Sequence, residues 1–312
     1  MILALGAILA GGLLLTVAAD QFVIGAARVA LLRRMSPVAV GVLIIGFGTS
    51  APELLVSALA AAGGNPEVAV GNIVGSNLAN LTLILGAGAL VVPLRVDSSV
   101  VRREIPLTLG GILAFALAVQ RGGVSVGEAA VLLVAMVGAL ILVTRRSDGD
   151  PLGPEAEELV DVSGHRFPAE AARTLVGLAG TLAGAQALLW GAVDLADRVG
   201  LSGGFVGATL VAVGTSLPEL VTVIQSARRR ETDLVVGNLL GSCLFNALTV
   251  GAAVGLLSTV ELRSEHLTVG AVGLSTAAAV VAATMMITGH TVTRREGVVL
   301  VVGYVVAVPF LA

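Results

Sequence analysis

Long apolar runs alternate with short polar gaps along the whole chain. The alternation predicts ten helical spans, roughly 3–30, 36–62, 67–92, 104–120, 125–144, 169–197, 202–227, 232–257, 265–288 and 295–312. A hydrocarbon core ~30 Å thick needs about 20 residues of helix at ~1.5 Å each. The first and sixth runs exceed that and predict strong tilt, while the fourth and last are short. Inside lipid every backbone donor and acceptor must be satisfied within the segment, so runs of this length read as helices. The predicted fold class is an all-α polytopic membrane protein.

Arginine placement supports the count independently. The odd-numbered gaps between spans, with the span ends beside them, hold 15 of the 18 arginines, including Arg28, Arg102, Arg173, Arg229 and Arg294; the even-numbered gaps hold Arg121, Arg198 and Arg263. Basic residues accumulate on the cytoplasmic side. The bias therefore predicts a multi-pass protein of the cytoplasmic membrane, with odd gaps inside and both termini outside. The longest gap, about 145–168, is rich in Pro, Gly and acidic residues and reads as a solvated cytoplasmic linker. Its acidic residues lack the spacing of a calcium-binding hand.

Composition agrees with a bilayer environment. The 312 residues are 56% hydrophobic and 12% charged, with mean hydropathy +0.99, whereas a soluble domain is about a quarter charged. Forty glycines suit close helix approach. A net charge of −3 gives no case for nucleic acid as a partner, and the single Cys243 excludes an intrachain disulfide. The first apolar run lacks a basic flank and a cleavage site, so it reads as a retained helix. The lipid bilayer is the predicted partner, and a monomer is compatible with the sequence.

The chain repeats itself at a constant offset of 166 positions. Gly25 matches Gly191, Gly41 matches Gly207, 48-GTSAPE-53 matches 214-GTSLPE-219, and 71-GNIVGSNLAN-80 matches 237-GNLLGSCLFN-246. Five spans separate equivalent points, an odd number, so the second half enters the membrane from the opposite face. The predicted organisation is two inverted five-helix repeats, 1–147 and 169–312, joined by the linker 148–168. The segments that carry the repeated motifs lie at about 36–92 and 202–257. Inverted repeats place substrate sites near the midplane, where broken helices meet.

Each copy of GTSxPE sets a helix breaker beside a charge. Pro52 has no N–H for the Gly48 carbonyl, nor Pro218 for that of Gly214, so a kink or opening is expected there. Freed carbonyls in lipid must line a cavity or meet a ligand. Thr49 and Glu53 share a helix face, as do Thr215 and Glu219. In the partner motif Gly71 and Gly75, like Gly237 and Gly241, would admit a neighbouring helix. Asn72, Ser76 and Asn80, repeated as Asn238, Ser242 and Asn246, form a polar stripe four residues apart. Two carboxylates, hydroxyls, amide oxygens and carbonyls make an oxygen-only donor set for hard cations: Ca²⁺, Mg²⁺ or Na⁺. A charged residue at the bilayer centre is costly, and a functional role is its default reading.

The paired motifs resemble the α-repeats of the sodium/calcium exchangers, within the calcium/cation antiporter superfamily, over essentially the whole chain. The resemblance implies clustered cation sites midway through the membrane for transported Ca²⁺ and Na⁺, with no cofactor. It makes Glu53 and Glu219 the central carboxylates, with Thr49 and Thr215 as main-chain ligands of Ca²⁺. It assigns Ser50, Ser76 and the Gly46 carbonyl to one Na⁺ site, and Thr215, Ser242 and the Ala212 carbonyl to its counterpart. Ser216 is the second-copy equivalent of Ser50, and Asn80 and Asn246 would face each other. Spans 1 and 6 would slide across the remainder to alternate access. Asn246 stands where some relatives carry Asp, which argues against potassium co-transport and leaves two titratable groups. The implied activity is electrogenic Na⁺/Ca²⁺ antiport, with Ca²⁺/H⁺ antiport as the alternative. A passive channel fits inverted repeats poorly, and no nucleophile–base set suggests an enzyme.

Overall fold

The computed structural model describes residues 1–33, 37–64, 66–144, 166–198, 212–258 and 270–310. They are almost entirely helical. Among them six helices are long and apolar enough to cross a membrane, or seven if the bent pair Val38–Thr49 and Ala51–Ala62 is one span. The shorter helices Glu104–Gln120, Leu217–Arg228 and Arg294–Ala307 occupy three further predicted runs. Most of the predicted linker, and the starts of the predicted spans at 202 and 265, lie outside the described residues.

The two helices that carry the GNxxGSxxxN stripe are the most buried of the long helices. Pro66–Val91 and Thr232–Leu257, with mean hydropathy 1.5 and 1.8, have 78% of their central windows inside the protein; Ile2–Arg33 and Val126–Thr144, at 2.4 and 2.5, have 28%. In a bilayer the solvent is hydrocarbon, so side chains that need partners go inward and pure hydrocarbon faces out. The two GNxxGSxxxN helices thus form the centre of the molecule.

Ile2–Arg33 and Phe167–Arg198 pack antiparallel along most of their length. Glycines set their separation: a Cβ at Gly177 would lie 2.5 Å from the Phe22 backbone nitrogen, and one at Gly184 2.5 Å from that of Leu15. Small residues spaced along one face allow such backbone approach in lipid.

Both GTSxPE segments break their helices one residue earlier than the alanine or leucine before the proline. The break falls at Ser50 (φ −82°, ψ 8°) and at Ser216 (φ −89°, ψ 8°). Val38–Thr49 and Ala51–Ala62 diverge by 46°. Pro52 and Pro218 then sit in the first turn of the following helix, where no amide hydrogen is required. The expected disruption is therefore real, but the chain restarts its helix around the proline instead of bending through it. Further departures from α geometry are π segments at Gly41–Gly46, Asn80–Ile84 and Asn246–Val250, the last two each opening on an asparagine of the polar stripe. Such turns recur at functional positions.

Contacts between gaps follow the parity of the arginine pattern. Leu94–Arg95 of the third gap pairs antiparallel with Thr291–Val292 of the ninth. Arg28 and Glu170, beside the first and fifth gaps, form an ion pair at 3.3 Å, and the Arg33 guanidinium stacks on Phe167 at 3.8 Å. Gly255 and Val124, beside the eighth and fourth gaps, are in contact.

Candidate cation site

The two serines at the helix breaks reach across the repeats. Ser50 Oγ donates to Glu219 Oε1 at 2.9 Å, and Ser216 Oγ donates to Glu53 Oε1 at 3.2 Å. The 166-residue offset converts one contact into the other. It also relates Ser242, 3.5 Å from Glu219 Oε1, to Ser76 beside Glu53. All four serines and both glutamates are buried. The helix breaks at Ser50 and Ser216, three residues before each glutamate, and the hydroxyls of these two residues cross between the halves.

The asparagines of the GN pairs brace the glutamate turns from behind. Asn72 Nδ2 donates to the Glu53 carbonyl at 3.2 Å and to Ser57 Oγ at 2.9 Å. In the second half Asn238 Nδ2 donates to Thr222 Oγ1 at 3.1 Å, and Thr222 donates to the Glu219 carbonyl at 2.9 Å. Ser57 and Thr222 were not among the sequence-predicted site residues. Their signal was their position, four and three residues after each glutamate on the same helical face.

On one side the two broken elements close tightly. A Cβ at Gly46 would lie 2.8 Å from the Asn238 carbonyl, and one at Gly241 2.6 Å from Val42 Cα. The Gly46 carbonyl accepts Ser242 Oγ at 3.0 Å, so the structure brings Gly46 together with Ser242. Thr49 Oγ1 donates to the Ile45 carbonyl at 3.0 Å and lies 3.4 Å from Asn238 Oδ1. The first-half counterpart of Gly241 behaves differently, since a Cβ at Gly75 would meet nothing within 4 Å. Thr215 is buried at the end of the Ala212–Thr215 turn.

Several buried acceptors have no hydrogen-bond partner: Glu53 Oε2, Glu219 Oε2, Asn80 Oδ1 and Asn246 Oδ1. Asn80 and Asn246 are 1% and 0% exposed, at the mouths of the two π turns. An unpaired buried acceptor costs about 1–3 kcal/mol, more for a charged group. Two neighbouring buried carboxylates add mutual repulsion. A bound cation relieves both terms, and the donor chemistry, carboxylate and amide oxygen flanked by hydroxyls, suits a hard one.

Away from these contacts, Asp20 pairs with Arg229 (3.0 Å from Nε) and Asp194 with Arg198. Cys243 is buried with its thiol 4.0 Å from the Asn77 carbonyl, and Trp190 is exposed.

The chain as a whole is similar to known proteins in sequence and in fold. The profile described as sodium/calcium exchanger protein matches residues 3–145 and 171–312. A putative antiporter, CaxA, of Alkalimonas amylolytica is 38% identical over 247 residues, covering 78% of this chain and 77% of the relative. The sodium/calcium exchanger MaX1 of Methanosarcina acetivorans is 26% identical over 96% of this chain and 95% of its own length. Among solved structures, the sodium-calcium exchanger NCX_Mj soaked with zero Na⁺ and Ca²⁺ superposes with a TM-score of 0.86 at 27% identity, covering 100% of this chain and 99% of that one.

Proposed function

The chain belongs to the sodium/calcium exchanger protein family, and on that premise we propose that it exchanges Na⁺ for Ca²⁺ across the cytoplasmic membrane by alternating access. The observation that carries the reading is the crossed pair of contacts, Ser50 to Glu219 and Ser216 to Glu53, with the second oxygen of each carboxylate unpartnered. Each half supplies a carboxylate held by the other half. A cation between them joins the halves, and its departure lets them separate.

In this reading Glu53 and Glu219 bind every transported ion in turn. Thr49, Thr215, Ser50, Ser216, Ser76 and Ser242 supply neutral oxygens, Gly46 and Ala212 supply carbonyls, and Asn80 and Asn246 line the centre. A site charge of −2 matches one Ca²⁺ or two Na⁺. Exchange of more than two Na⁺ per Ca²⁺ then moves net charge, making transport electrogenic. With Asn at 246, no third carboxylate is present for an additional K⁺.

The same proposal takes the fold as ten spans in two inverted repeats, with both termini outside. The 166-residue repeat of break, π turn and serine–glutamate contact supports it, as does the odd-with-odd and even-with-even pairing of gaps. On that topology the tight contacts of Gly46 and Gly241 seal the cytoplasmic half, while open space at Gly75 lies in the outer half. The long helices Ile2–Arg33 and Phe167–Arg198 would move as one unit.

A second reading, Ca²⁺/H⁺ antiport, keeps the same site. The observation behind it is the unpartnered second oxygen of each carboxylate, Glu53 Oε2 and Glu219 Oε2, which can take a proton in place of a cation. The site assignment common to both readings is tested by Glu53→Gln and Glu219→Gln. Either variant abolishes ⁴⁵Ca²⁺ flux while the protein still inserts and purifies as a monodisperse species; near-normal flux in either one refutes it.

A further inference from the structure

A groove of about 500 Å³ runs along the outer crease between Ile2–Arg33 and Phe167–Arg198. Small residues (Ala18, Gly177 and Gly180) leave the hollow, and Leu14, Val17 and Val176 wall it. Arg173 lines one end. From Ala169 to Gly180 the groove follows ~16 Å of helix at ~1.5 Å per residue. That is close to one leaflet of hydrocarbon, ~15 Å or half of a ~30 Å core.

The end marked by Arg173 is basic. One carboxylate, Glu170, is shared by Arg28 at 3.3 Å and Arg173 at 3.2 Å. Arg166 is exposed nearby, at the residue preceding the Phe167–Arg198 helix. Two guanidinium groups therefore share one carboxylate, Arg166 adds a third positive charge four residues before it in the chain, and the surplus among these described residues is positive. Arg173 keeps 36% of its side chain exposed despite the ion pair, so donors remain for a second anion. By the arginine distribution this is also the side on which basic residues accumulate.

We propose that this groove binds one anionic phospholipid of the arginine-side leaflet, an acyl chain lying along Leu14, Val17 and Val176 and the phosphate headgroup meeting Arg173. The groove is apolar where a chain would lie and cationic where a headgroup would lie, and its length matches a single leaflet. A zwitterionic lipid satisfies the apolar part alone. The added contribution of a headgroup contact with one arginine corresponds to about a fivefold preference. The site lies on the lipid-facing side of the helix pair, apart from the glutamates, and does not depend on which ions are exchanged.

The test is native mass spectrometry of the full chain released from nanodiscs made of equal phosphatidylcholine and phosphatidylglycerol. The wild type retains phosphatidylglycerol about fivefold over phosphatidylcholine. Arg173→Gln removes the preference, and Ala172→Phe, at an exposed position lining the groove, lowers retention of both lipids. Equal retention of the two lipids by the wild type overturns the proposal, as does an undiminished preference in Arg173→Gln. Ala172→Phe leaves every charge in place, so unchanged retention in that variant overturns the location even if Arg173→Gln fails to fold.

Discussion

Ser50 donates to the carboxylate of Glu219 at 2.9 Å although 169 positions separate them, and the same contact recurs with the halves exchanged, from Ser216 to Glu53 at 3.2 Å. Each serine belongs to one GTSxPE copy and serves the glutamate of the other. Neither copy of the motif can assemble its site alone.

Removing either hydroxyl releases one glutamate from its partner repeat. A hydrogen bond to a charged group contributes about 1.5–3 kcal/mol. Ser50→Ala and Ser216→Ala are each expected to raise the Ca²⁺ KM at least about tenfold, with similar size because the contacts are equivalent. Initial-rate ⁴⁵Ca²⁺ uptake against Ca²⁺ concentration measures it; an effect confined to one of the two serines contradicts the pairing.

The glycines divide by what faces them. Gly241→Ala places a Cβ 2.6 Å from Val42 Cα, and Gly46→Ala one 2.8 Å from the Asn238 carbonyl. Backbone cannot yield cheaply, and overpacking costs about 1–3 kcal/mol. Melting in detergent should fall by about 5 °C for either variant. Gly75→Ala meets nothing within 4 Å and replaces a poor helix former, so its melting temperature should hold or rise. Equal losses at all three positions would show that the asymmetry is unimportant.

Asp20 and Arg229 connect the first helix to the end of Leu217–Arg228, and Gln225 adds a contact to the Thr16 carbonyl at 3.4 Å. Both charged side chains are about a third exposed, so the pair contributes no more than about 1 kcal/mol and weakens with salt. Asp20→Asn and Arg229→Gln should each change turnover by a few fold without changing the Ca²⁺ KM. The exchanged pair Asp20→Arg with Arg229→Asp should restore it. A large KM change in either single variant would place the pair in the ion site instead.

Much of this structure was legible in the sequence because the membrane simplifies the code. Hydropathy marked the long helices among the described residues, and a repeat with no gaps from Gly25 to Asn80 marked the two segments whose serines and glutamates meet. Local geometry was harder to read. Pro52 predicted disruption at Gly48, but the first-turn tolerance of proline put the break at Ser50. The π turns at Asn80 and Asn246 leave no compositional mark. Ser57 and Thr222 looked like ordinary small polar residues until their bonds to Asn72 and Asn238 were located. The union of the Gly46 carbonyl with Ser242 depends on how two halves dock, which spacing within one half cannot encode.

The most direct test of the central claim is the dependence of calcium flux on ion gradients. In proteoliposomes loaded with Na⁺ and diluted into Na⁺-free medium at equal pH on both sides, rapid ⁴⁵Ca²⁺ uptake is expected. Uptake should collapse when Na⁺ is equal across the membrane, and an applied membrane potential should alter its rate. Uptake indifferent to Na⁺ but driven by a pH gradient would contradict Na⁺/Ca²⁺ exchange and leave Ca²⁺/H⁺ antiport in its place.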